Sequence, residues 1–114
     1  MKTARVLSAA CVTISIILPA YAGGDPVAGK QKATACQSCH GAEGISTSPQ
    51  FPNLAGQFPD YLVKALSDYK SGQRKNPIMA SFAANLTPQD IEDIASFYAS
   101  RKNGLYVKQV PRIR

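Results

Sequence analysis

The chain has 114 residues, which suits one domain and is too short for two with independent cores. Hydrophobic residues make up 45% and charged residues 18% of it, a balance that excludes an intrinsically disordered chain. The formal net charge of +6 is modest and the basic residues form no concentrated binding motif, so nucleic acid is not an expected partner.

The N-terminal stretch reads as an address. Lys2 and Arg5 form a positive region, Val6 to Leu18 a mostly apolar run, and Ala20-Tyr21-Ala22 a small-x-small cleavage site behind the helix-breaking Pro19. The alternative, a retained anchor, needs roughly 18 apolar residues and a following stop-transfer pattern, and the run offers neither. Residues 1–22 are therefore expected to be a signal peptide, with a periplasmic mature chain starting near Gly23. Cleavage discards Cys11 and leaves Cys36 and Cys39; losing Lys2 and Arg5 lowers the formal charge from +6 to +4.

Asp25-Pro26 supplies an N-cap and a proline at the first helical position, predicting a helix that runs to about Ser38. At its end lies Cys36-Gln37-Ser38-Cys39-His40, a complete match to the C-x-x-C-H signature of c-type haem attachment. The spacing suits that chemistry. Two thiols about one helical turn apart can each add across a haem vinyl group to give a thioether, and the next residue can offer its imidazole to the iron. Two other readings of the cluster fare worse. A closed zinc site would have to borrow a carboxylate, because the mature chain has only these two cysteines and one histidine. A thioredoxin-like pair would need a strand ahead of the motif, and none is written there.

After His40, the residues Gly41, Gly44, Pro49, Pro52 and Gly56 break any regular element and predict a long loop. Pro59 then opens a helix with Leu62, Ala65, Leu66 and Tyr69 on one stripe and Gly72 as its stop. A second loop is expected from Gly72 to Leu86. Thr87-Pro88 caps a last helix, in which Ile91, Ile94, Ala95 and Tyr98 repeat the spacing until Asn103-Gly104. Three helices joined by loops of about fifteen residues bury surface poorly, and a flat apolar cofactor resolves the difficulty by acting as the centre. The chain without haem is accordingly expected to be largely unfolded.

The second face of the iron decides between electron transfer and chemistry. Met79 is the candidate ligand. It is the only methionine beyond the initiator, it follows the Asn76-Pro77 turn, and no second histidine exists. Lys64, Lys70, Lys75 or water are alternatives, with lysine disfavoured by its charge and strong hydration. A thioether favours ferrous iron and raises the reduction potential.

These residues resemble class I c-type cytochromes, especially the small bacterial monohaem type and the individual halves of the dihaem type. The resemblance spans about residues 25–100. It rests on Cys36-Gln37-Ser38-Cys39-His40-Gly41, Phe51-Pro52-Asn53-Leu54-Ala55-Gly56-Gln57, Pro77-Ile78-Met79 and Leu86-Thr87-Pro88-Gln89-Asp90-Ile91. It implies an all-α fold with the first and last helices crossing and one covalent haem c, with His40 and Met79 as axial ligands. It further implies that the Pro52 carbonyl accepts a hydrogen bond from the His40 ring, a plain turn proline being the other reading. Phe51, Leu54, Phe82, Phe97 and Tyr98 are candidate haem packers.

The domain is thus expected over residues 23–100. Residues 101–114 depart from the family pattern and carry Arg101, Lys102, Lys108, Arg112 and Arg114 with no acidic residue. This tail is either a solvated end or a docking element for an acidic partner. The leading functional reading is a diffusible one-electron carrier with no small-molecule substrate, whose redox partner proteins carry acidic docking patches. The alternatives are a haem subunit of a larger oxidoreductase complex and an open-iron sensor or peroxidase-like enzyme. The oligomeric state is not written in the sequence.

Overall fold

Helix starts in this chain are set by proline. In the computed structural model, which describes residues 23–102, four of the five helices begin at a proline. The proposed signal peptide and the tail beyond Lys102 lie outside the described residues. The helices are α1 (Pro26–Lys32), α2 (Thr34–His40), α3 (Pro59–Ser71), α4 (Pro77–Ala83) and α5 (Pro88–Ala99), and no strand occurs among the described residues. The fold is all-α.

The caps follow the local chemistry of the sequence. The Asp25 carboxylate accepts from the Val27 amide, and at the start of α5 the Thr87 hydroxyl accepts from the Asp90 amide while the Asp90 carboxylate accepts from the Thr87 amide, a reciprocal capping box. Gly72 closes α3 in the left-handed conformation at φ +79°.

Three boundaries differ from the sequence expectation. The first helix is broken at Ala33, whose ψ of 2° turns the chain, and α2 then runs through His40 rather than stopping near Ser38. The second predicted loop contains α4. Its Asn76 side chain accepts from the amides of Ile78 and Met79, so Asn76-Pro77 is an N-cap and first helical residue rather than a simple turn. The last helix ends at Ala99 rather than near Asn103, with the Arg101 amide donating to the Tyr98 carbonyl.

The core is built where α1 crosses α5 and α3 packs alongside. Ala33, Leu62, Ile94, Ala95, Phe97 and Tyr98 form one buried cluster, with Cys36, Leu54, Val63, Leu66 and Leu86 packed against it. Gly29 permits the crossing. A Cβ there would lie 1.9 Å from the Asp93 carbonyl oxygen, so any side chain would push the two helices apart.

A polar clamp completes the contact. Asp93, only 3% exposed, accepts from the Asp25 amide at 2.8 Å, from Gln89 at 2.8 Å and from the Lys32 ammonium at 2.5 Å. Lys32 also meets Asp90 at 2.8 Å. Burial pushes the Asp93 carboxyl up, but Lys32, the Asp25 amide and Gln89 together pull it below the ordinary carboxylate range. Arg101, at the start of the basic stretch, is tied into the domain by a 3.0 Å contact to Glu43, and its guanidinium lies over the Phe97 ring.

Candidate haem-binding site

The helix α2 brings Cys36 and Cys39 to one side of a cavity and sets His40 beside them. Both thiols are free and half-buried. Burial pushes the Cys36 thiol up, so it rests protonated. His40 is only 6% exposed. Its Nδ1–H donates to the Pro52 carbonyl at 2.8 Å, because a carbonyl can only accept. That bond fixes the tautomer and leaves the Nε2 lone pair as the ring's available ligand.

The loop that presents Pro52 is ordered by its own hydrogen bonds. The Gly44 carbonyl accepts from the amides of Leu54 and Ala55, the Ser46 amide donates to the Asn53 side chain at 2.7 Å, and the Ser46 hydroxyl donates to the Cys39 carbonyl at 3.1 Å. The last of these ties the loop directly to the cysteine helix. The Gly56 amide then donates to the Tyr98 carbonyl at 2.9 Å, so α5 anchors the far end. Phe51 approaches the His40 ring edge-on at 6.3 Å between centroids.

These pieces enclose a cavity of about 440 Å³. Its wall carries Cys36, Cys39, His40 and Pro52 from one part of the chain and Met79 from α4, so all five sequence-predicted site residues meet in one place. Leu62, Leu66 and Ile94 supply apolar wall. Of the candidate packers, Phe51, Leu54, Phe82 and Tyr98 line the cavity. Phe97 does not; it sits under the α1–α5 crossing, against Gly29.

The lysines weighed as alternatives to Met79 are not on the wall. Lys64 pairs with Asp68 at 2.7 Å, and Lys70 donates to the Leu86 carbonyl. Sequence reasoning did not single out Arg74 or Tyr61. Arg74 donates to the Tyr61 hydroxyl at 3.3 Å and lies 4.8 Å from the centre of the Tyr69 ring, and all three residues line the cavity. Neither residue stands out in a sequence, because the pairing depends on α3 and the turn after it folding back together.

The donor set fits a haem. Two unpaired thiols a turn apart, an imidazole with its second nitrogen held, a thioether and an apolar cavity are the parts that covalent attachment and axial ligation call for. The cytochrome c family model matches residues 26–102, from the first residue of α1 to the end of the described chain. The chain belongs to the cytochrome c family.

This cytochrome is 43% identical over 98 residues to cytochrome c4 of Pseudomonas aeruginosa, an alignment covering 86% of the chain and 49% of that protein. It is 40% identical over 82 residues to cytochrome c-554(548) of Halomonas halodenitrificans, covering 69% of the chain and 99% of that protein. The crystal structure of reduced recombinant cytochrome c4 from Pseudomonas stutzeri superposes with a TM-score of 0.66 at 42% identity, covering 69% of this chain and 46% of that one. The chain therefore spans about half the length of the cytochrome c4 relatives it matches and nearly all of cytochrome c-554(548). Haem c, covalently bound, is the cofactor of this cytochrome, and its single C-x-x-C-H sequence accounts for one.

Proposed function

We propose that this cytochrome is a periplasmic electron carrier that moves single electrons on one His/Met-ligated haem c, and that it is not itself an enzyme. The observation that carries the reading is the meeting of Cys36, Cys39, His40 and Met79 on one cavity wall. Cys36 and Cys39 would hold the haem through thioethers, and His40 and Met79 would ligate its iron. Once bound there, haem supplies a one-electron ferric/ferrous couple.

The protein's own residues make that couple suited to transfer. Pro52 takes the Nδ1 proton of His40, which keeps the ring oriented and its Nε2 basic. Met79 would hold the iron through its thioether, a soft ligand that would favour the reduced state and deny the metal to oxygen and to substrates. Asn76 holds the backbone of Ile78 and Met79 through two side-chain bonds of 3.0 Å, so the ligand arrives on a capped helix rather than a free loop. Ligands that keep their places in both oxidation states leave little to reorganise on transfer.

Export rests on residues 1–22, whose pattern is that of a cleaved signal peptide. Among the described residues no helix is long and apolar enough to cross a membrane. Partners are redox proteins that meet the carrier through a small, transient interface, with acidic docking patches facing its net positive charge.

A pyridine haemochrome spectrum of the purified mature protein, paired with its intact mass, tests the assignment. One c-type haem per chain and a mass equal to the cleaved polypeptide plus haem are expected. A mass of the bare cleaved polypeptide, from cells able to attach haem, overturns it.

A further inference from the structure

Tyr98 carries a hydroxyl with nowhere to go. The residue is 1% exposed, and its Oη is the one buried side-chain polar atom among the described residues without a hydrogen-bond partner. Leaving such a group unmade is costly, so native proteins almost always satisfy it. Tyr98 also cannot relieve the problem by turning outward. Its carbonyl is held by the Gly56 amide at 2.9 Å, and its ring lies flush against Gly44, where a Cβ would come within 2.7 Å of Cδ1.

The side chain lines the haem cavity, and so does Cys36, which packs against the core cluster to which Tyr98 belongs. Burial pushes the phenol up, so the hydroxyl keeps its proton. A neutral O–H that is buried and fixed in this wall can serve only as a donor or acceptor to something inside the cavity.

We propose that the Tyr98 hydroxyl is a hydrogen-bond donor reserved for a neutral acceptor at the Cys36 end of the haem cavity, and that this bond raises the reduction potential of the bound haem. The inference rests on the haem reading above. Two acceptors share the required chemistry, the Cys36 sulfur itself and a water trapped beside it. In either case the positive end of the O–H dipole is held toward the cofactor, which favours the electron-richer state. Tyr98 acts here as a tuning residue and takes no part in attachment.

The test is Tyr98→Phe, which keeps the ring that Gly44 and the core require and removes only the oxygen. A haemochrome spectrum of the variant first establishes that haem is attached, so failure of the haem reading is seen separately. With haem in place, the variant is expected to shift the one-electron equilibrium toward the ferric state by about threefold, or about 28 mV at 59 mV per tenfold. It is also expected to unfold at lower denaturant concentration. An unchanged potential together with equal or greater stability overturns the proposal, since removing an orphaned hydroxyl costs nothing. A crystal structure of the haem-loaded parent separates the two acceptors: sulfur within hydrogen-bond distance of Oη, or a water between them. Neither at that position also overturns it.

Discussion

Replacing Gly29 by alanine tests how tightly the domain depends on one close approach of α1 to α5. The new Cβ would lie 1.9 Å from the Asp93 carbonyl oxygen, 2.5 Å from its carbon and 2.9 Å from the Phe97 Cβ. Ordinary contact begins near 3.4 Å, so the helices must part by about 1.5 Å at the crossing, and a gap of that size forfeits half or more of each dispersion contact. The obstacle is backbone, which cannot rotate away as a long side chain could. Phe97 belongs to a buried cluster with Ala33 and Ile94, and full burial of Phe or Ile side chains is worth about 1.5–3 kcal/mol each. Losing about half of the Phe97 and Ile94 terms costs about 1.5–3 kcal/mol. Alanine is the better helix former by about 1 kcal/mol, which offsets part of this. The net expectation is a loss of about 0.5–2 kcal/mol, measured by guanidinium unfolding of the haem-loaded protein with far-UV circular dichroism as the readout. Stability equal to or above that of the parent would refute the close-approach account.

Three further outcomes are expected. Met79→Ala should abolish the low-spin methionine-to-iron signature of the ferric protein and lower its reduction potential; survival of that signature would show that Met79 is not the ligand. Asp93 has its native carboxyl below the unfolded value of about 3.9, so its contribution is full above that pH and is lost as pH falls through the depressed native value. Asp93→Asn should therefore reduce stability at pH 7 and flatten its decline below about pH 4, with a residual slope from Asp90 and Glu43, which are depressed mainly by Lys32 and by Arg101 respectively. Identical pH profiles of unfolding for variant and parent would rule the clamp out. The chain expressed without haem attachment should lack native-like helical circular dichroism, and a native spectrum there would show that the helices need no cofactor to pack.

Much of this architecture was legible because the signals are local. Proline at a first helical position located α1, α3 and α5, joined by a side-chain cap at α1 and α5 and by an apolar stripe at helical spacing in α3 and α5, and the C-x-x-C-H spacing located the cysteines and histidine. What escaped was non-local. The short α4 hid in an expected loop because Asn76-Pro77 reads equally as a turn and as a capped helix start, and seven residues leave too little periodicity to decide. The break at Ala33 has no breaker residue at all. Phe97 and Tyr98 are adjacent and both buried, yet one sits under a helix crossing and the other on the cavity wall, a difference set by which neighbour each meets. Asp93 looks like a surface carboxylate until Lys32, Gln89 and the Asp25 amide close around it.

The last helix does more than its sequence announces. Asp93 receives the start of α1, Tyr98 receives Gly56 from the loop that positions Pro52, and Arg101 just past its end pairs with Glu43 in the same loop. The imidazole is thus oriented by a carbonyl whose loop is pinned at both ends, to Cys39 through Ser46 and to α5 through Gly56. Among the described residues, four of the nine buried hydrophobic side chains are alanines, Ala33, Ala55, Ala83 and Ala95, which bring backbones close but bury little area of their own. An ordering framework of this kind is strong in hydrogen bonds and weak in apolar burial. The missing burial must come from whatever fills the cavity between α2, α3 and α4, and a covalently held haem answers that need while taking its redox environment from the same residues.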